Sequence, residues 1–196
     1  MPTLPVGMDE VGRGAMAGPL VAAAVALPAA LQVPEGLTIA DSKEIAPELR
    51  AVVDAWIRQH AEIVVVESIG VTAINRLGIG WANRAIYGRL MARLGARRYR
   101  VDGNLRLHGL APPGSTIICR CGGDRYDQAI AAASIVAKVY RDGLMGRLHQ
   151  TYPAYGWVRN VGYATGEHRR AILAIGPCAE HRTLYLRRLF AKEQNT

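Results

Sequence analysis

With 196 residues, half of them hydrophobic and 20% charged, the chain is long enough to close one well-filled core and too apolar to be disordered. Its formal charge of +8, from 24 Lys and Arg against 16 Asp and Glu, points to a polyanionic partner, nucleic acid first. No apolar run reaches the roughly 18 residues of a membrane span, and the first residues lack the basic-then-apolar pattern of an export signal. A cytoplasmic protein with no membrane partner is therefore expected.

The elements follow in chain order. Residues 4–11 read as a strand broken by the Gly12-Arg13-Gly14 turn, and residues 19–27, small and β-branched, as a second strand making a hairpin with the first. Pro47 opens a helix, with Leu49, Val52, Val53, Trp56 and Ile57 at helical spacing to about His60. Residues 62–67 are a β-branched strand, and Ile86, Leu90 and Leu94 mark one face of a helix whose other face carries Arg89 and Arg93. Residues 98–102 and 115–120 are short strands, and residues 128–149 a long Ala-rich helix. Further helices are predicted over 168–175 and 180–191. The expected fold is α/β, a mixed sheet with a helical C-terminal part, divided as a core over 1–150 and an extension over 151–196. Three cysteines, Cys119, Cys121 and Cys178, suit reduced thiols better than a zinc or disulfide framework.

The densest chemistry lies in residues 7–19. Gly12-x-Gly14-x-x-Ala17 satisfies a dinucleotide fingerprint, but Pro19 would fall inside the required helix, and Asp9 and Glu10 would repel the phosphates. Those acids are the better lead. They are adjacent on an otherwise apolar strand, where an ionised carboxylate is costly without a cation or hydrogen-bond donors. Asp102 repeats the pattern at the end of another apolar run, and Asp124 follows Gly122-Gly123 ahead of the long helix. Singly, each acid also suits a cap or a turn. Together, Asp9, Glu10, Asp102 and Asp124 would form an oxygen-only site for Mg²⁺ or Mn²⁺. Two such ions about 4 Å apart activate a water and stabilise the leaving oxygen of a phosphodiester. Seven arginines between Arg84 and Arg106, against the single acid Asp102, make a phosphate-facing patch or a solvated helix face.

Residues 7–21 (GMDEVGRGAMAGPLV) resemble the signature of the bacterial ribonuclease HII family. So do Asp41-Ser42-Lys43, residues 101–104 (VDGN), Gly123-Asp124 with residues 132–139 and Arg141-Asp142, Tyr155-Gly156-Trp157 and Gly162-Tyr163, in family order. Lys43 and Lys138, two of only three lysines among 24 basic residues, fall at motif positions. The resemblance implies an RNase H-like fold with five strands, the first and fourth adjacent. It implies cleavage of RNA in RNA–DNA hybrids, and of single ribonucleotides in duplex DNA on their 5′ side, leaving 3′-hydroxyl and 5′-phosphate ends.

Position by position, the resemblance makes Asp9, Glu10, Asp102 and Asp124 the catalytic metal carboxylates. Gly12, Arg13 and Gly14 would approach the ribose 2′-hydroxyl, Tyr163 would pack on the following sugar, and Lys43 would contact phosphate. Ser134 and Lys138 are carried over as substrate-binding residues. Three positions depart from the pattern: Val161 where Lys is usual, Gly78 where many members have Asn, and Leu184 in the late His181-Arg182-Thr183-Leu184-Tyr185 segment. A monomer is expected, with no replication or repair partner specified. The alternatives are another metal-dependent nuclease of the same fold, such as a resolvase-like enzyme, and a non-catalytic nucleic-acid binding protein. The glycine turn with Tyr163 disfavours the first, because DNA has no 2′-hydroxyl to read. The four acids disfavour the second, because carboxylates repel phosphates.

Overall fold

Five short strands, with β-branched residues in each, pair into one mixed sheet in the computed structural model, which describes residues 4–40, 42 and 45–193. The strands are β1 (Val6–Val11), β2 (Leu20–Ala26), β3 (Ile63–Ile69), β4 (Arg98–Asp102) and β5 (Thr116–Arg120), in the order β3-β2-β1-β4-β5. β1 and β2 are antiparallel, as the hairpin reading required, while β1–β4 and β4–β5 are parallel. The first and fourth strands are therefore neighbours. The helices are α1 (Pro47–His60), α2 (Val71–Leu77), α3 (Ile79–Leu94), α4 (Gln128–Thr151), α5 (Trp157–Asn160), α6 (Gly166–Ile175) and α7 (Thr183–Glu193). This is the expected α/β architecture with a helical C-terminal part. Two helices were not foreseen: the four-residue α5, and α2, which ends at Gly78, whose φ of 87° lies in the left-handed region and separates it from α3.

The described residues form two compact units, the first comprising residues 4–11, 21–68 and 84–139 and the second residues 12–20, 69–83 and 140–193. In the first unit β2 is buried along its whole length, and its run of alanines leaves room on both faces of the sheet. Gly7 on β1 is in contact with α4: a Cβ there would stand 2.1 Å from the Ala129 carbonyl carbon. No larger residue fits without moving the helix.

The second unit packs around Trp157, with Met16, Met145, Tyr155, Ile172 and Leu186. Two buried arginines tie its turns together. Arg141 donates to the carbonyls of Ala17, Pro19 and Val161 at 2.8–3.0 Å, and Arg182 to those of Gly18 and Arg13. Arg50 is also buried, in the first unit, donating to the Ser42 and Ile45 carbonyls. These cations hold backbone, so the basic surface is smaller than the residue count implies.

Candidate active site

β1 carries two consecutive acids, and strand alternation sends them to opposite faces of the sheet. Asp9 shares the face of Gly7, against α4. There the Ser134 hydroxyl donates to the Asp9 carboxylate, and Ser42 Oγ lies 2.9 Å from Ser134 Oγ. Because the Ser134 proton goes to Asp9, Ser42 is the donor of that second bond. Asp9 Oδ1 also accepts from the Glu10 amide at 2.8 Å. Burial pushes the Asp9 carboxyl well up, and the charges of Glu10 and Asp102 push it further, against these two donors. On the other face, Glu10 Oε2 accepts a hydrogen bond from the hydroxyl of Tyr87, a buried residue of α3. Burial, followed by the charges of Glu10, Asp9 and Asp102, raises the Tyr87 phenol well above its ordinary value, so it remains a donor.

The last β1–β4 pair is Met8 with Val101, so Asp9 and Asp102 follow as the next residue on each strand. Asp102 Oδ1 accepts from the Gly123 amide at 2.7 Å. Asp124 comes next in a 3₁₀ turn (Gly123–Arg125) just ahead of α4; it is buried and lines a cleft of about 520 Å³ with Ile39, Ala40 and residues 125–128. Asp9, Glu10 and Asp102 thus lie within electrostatic range of one another, with Asp124 adjoining the donor to Asp102. Among the described residues no three acid, histidine or cysteine side chains converge at metal-ligand spacing. The donor set is nevertheless made of hard oxygens that repel one another, the chemistry that Mg²⁺ or Mn²⁺ satisfies.

The glycine turn belongs to the second unit. Gly12 has a φ of 87°, and a Cβ there would stand 2.1 Å from Arg141 Nε. The Arg13 carbonyl accepts from Arg182 Nη1 at 3.0 Å and from the Tyr185 hydroxyl at 2.9 Å. A Cβ on Gly14 would meet nothing within 4 Å. The amides of Met16 and Ala17 both donate to the Gly162 carbonyl, at 2.8 and 3.1 Å, bringing the segment after the turn against the residue before Tyr163. The half-buried Tyr163 ring has the Arg141 guanidinium carbon 5.5 Å from its centroid.

Beneath it runs a buried polar chain. His168 Nδ1 bonds the Tyr163 carbonyl at 2.8 Å, while His168 Nε2 accepts from Trp157 Nε1 at 3.0 Å. His168 therefore carries its proton on Nδ1, and His181 Nε2, 3.1 Å away, donates to His168 Nε2. His181 Nδ1 is left to accept from the Cys178 amide at 3.0 Å. Burial lowers both histidines, and with the charge of His168 added it takes His181 down to about 4.

Ser134 and Lys138 lie four residues apart on α4, one buried and the other half-buried; Lys43 lies outside the described residues. Sequence reasoning gave no role to Tyr87, Arg141 or the histidine chain, although Arg141 stood in a quoted motif. Trp157 and His181 stood in quoted motifs, but nothing marked Tyr87 beyond a polar tip next to the apolar Ile86 face.

A family model described as Ribonuclease HII matches residues 6–192. The chain is 40% identical over 190 residues to the ribonuclease HII of Thermosynechococcus vestitus, covering 96% of this chain and 86% of that one. It is 44% identical over 180 residues to that of Synechococcus sp. strain JA-3-3Ab, covering 90% and 78%. Its fold is similar to the crystal structure of ribonuclease H2 from Pyrococcus horikoshii OT3, with a TM-score of 0.81 at 19% identity over 99% of this chain and 100% of the other. The chain belongs to the ribonuclease HII family.

Proposed function

We propose that this member of a family of endoribonucleases acting on RNA–DNA hybrids also cuts on the 5′ side of single ribonucleotides embedded in duplex DNA, leaving 3′-hydroxyl and 5′-phosphate ends. The observation that carries the reading is the clustering of mutually repelling carboxylates on β1 and β4, in a chain that is otherwise strongly basic. Asp9, Glu10, Asp102 and Asp124 would hold the divalent cation, Mn²⁺ or Mg²⁺. Bound there, such cations supply activation of a water and stabilisation of the leaving oxygen.

The chain's own residues prepare that chemistry. Ser134 orients Asp9, the Gly123 amide orients Asp102, and Tyr87 holds Glu10. The turn at Gly12, Arg13 and Gly14 approaches the ribose 2′-hydroxyl, a group that is both donor and acceptor. Its open side at Gly14 and its clamped Arg13 carbonyl suit a rigid surface read at close range. Tyr163 packs on the following sugar, Lys43 meets phosphate, and Lys138 contacts the substrate. On this reading the enzyme is a cytoplasmic monomer serving ribonucleotide excision repair. The test is incubation with a duplex containing one ribonucleotide, with and without Mn²⁺ or Mg²⁺, mapping the cut. A metal-dependent cut 5′ of the ribonucleotide is expected; no cut, or a cut in plain DNA, overturns the reading.

A further inference from the structure

Asp9 and Glu10 are each held by a hydroxyl, from opposite faces of the sheet. Ser134 belongs to a stretch of α4 that the family motif already covers. Tyr87 does not. It lies on α3, fully buried, in a helix turn that otherwise contributes apolar Ile86, Leu90 and Met91 to the core. A buried phenol needs a hydrogen-bond acceptor, and the one the fold provides is Glu10 Oε2.

We infer that Tyr87 is a positioning residue: its hydroxyl, from behind the sheet, holds Glu10 Oε2 and fixes the orientation of the carboxylate that would help to hold a divalent cation. The inference rests on the metal reading given above, and deepens it. A glutamate has three side-chain torsions, and an ion that must order them binds more weakly than one meeting a carboxylate already set. The hydrogen bond also draws some charge from the carboxylate, which acts the other way. Orientation dominates, because the hydrogen bond only polarises the carboxylate but sets three torsions. Outer partners of metal ligands typically change affinity by about 10–100-fold when removed.

The test uses Mn²⁺ alone as the probe, titrated into the full chain and followed by electron paramagnetic resonance of the free ion. Tyr87→Phe is expected to raise the Kd for Mn²⁺ by about tenfold. In a Glu10→Gln background the same substitution should change it by less than about twofold, since there is no carboxylate left to hold. A folded Tyr87→Phe protein that binds Mn²⁺ like the wild type overturns the inference, as does an equal loss in both backgrounds. Wild-type protein that binds no Mn²⁺ overturns the metal reading itself, so the two failures are distinct. Should Tyr87→Phe not fold, wild-type protein labelled with ¹³C at tyrosine Cζ answers the question. The Tyr87 resonance must shift as Mg²⁺ is added and must hold still in Glu10→Gln; a resonance indifferent to Mg²⁺ in the wild type overturns the role.

Discussion

His168 supports Tyr163 by its backbone: the imidazole Nδ1–H donates to the Tyr163 carbonyl at 2.8 Å, and Trp157 and His181 close off its other nitrogen. The residue proposed to read the sugar is thus held by a histidine pair that burial keeps neutral.

The sign of the resulting pH dependence is fixed by His181, at about 4 when folded against an ordinary value of 6.5. A histidine with a depressed folded pKa takes up its proton first in the unfolded chain, so the fold loses stability as the pH falls from about 6.5 to about 4 and gains none from this group above 6.5. The full window corresponds to about 3 kcal/mol. Urea melts across it should show a loss of that order in the wild type and a clearly smaller loss in His181→Asn. Parallel profiles for the two proteins would remove His181 as the source.

Asp102→Asn keeps the acceptor for the Gly123 amide and removes one charge from the repelling set. Cleavage is expected to fall at least about a hundredfold while the protein stays folded. Without metal its Tm should equal or exceed that of the wild type, because relieving like charges favours the fold. Near-normal cleavage by the folded variant would take Asp102 out of the site.

The two glycines of the turn should separate structure from recognition. Gly12→Ala would put a methyl against Arg141 at a left-handed φ, costing about 2–4 kcal/mol. Gly14→Ala meets open space at an ordinary φ, so its stability should stay within about 0.5 kcal/mol of wild type. Its turnover on a ribonucleotide-containing duplex should nevertheless fall tenfold or more, because misplacing the scissile phosphate by about 1 Å costs on the order of a hundredfold. Unimpaired turnover in Gly14→Ala would mean that the substrate does not approach that side of the turn.

Tyr163→Ala should lower single-turnover cleavage of a lone embedded ribonucleotide far more than it lowers binding. One hydrogen bond to a 2′-hydroxyl, worth about 0.5–1.5 kcal/mol, cannot by affinity alone set a single site apart from plain DNA. A continuous RNA strand offers many registers and should be less affected. Equal losses on both substrates, or a loss confined to Kd, would reduce Tyr163 to a duplex contact.

Val161 is the one non-glycine residue of positive φ, at 42°, among the described residues. A β-branched side chain is strained there, and the unbranched Lys should relieve it while adding a cation. Val161→Lys is expected to raise the Tm slightly, tighten duplex binding at moderate salt and steepen the log–log salt dependence by about one unit. Unchanged affinity and slope would show that position 161 faces away from the nucleic acid.

Much of this was legible in the sequence, for identifiable reasons. The strand runs and the long helix at 128 announce themselves by composition, and strand alternation alone parts Asp9 from Glu10. The adjacency of β1 and β4 came from family resemblance, since nothing local encodes which strands pair. Tyr87 and Glu10 are 77 positions apart, and no periodicity links a helix tyrosine to a strand acid. The buried arginines were hidden for the opposite reason: among 21 arginines, composition cannot pick out the three that are buried on backbone carbonyls. The glycines were legible as a turn, but the need for glycine at position 12 comes from Arg141, 129 residues later.

β1 is the middle strand of five, bonded to β2 on one side and β4 on the other. Amide protons at such a position exchange with solvent mainly through global opening, whereas those of surface turns exchange through small local fluctuations. Both acids of β1 are therefore expected on the slowest-exchanging part of the molecule, and the Gly12–Gly14 turn and the half-buried Tyr163 on faster parts. On gradual warming, the power to discriminate a ribonucleotide should fade while the carboxylates are still held in place, so that selectivity is lost before the capacity to cut.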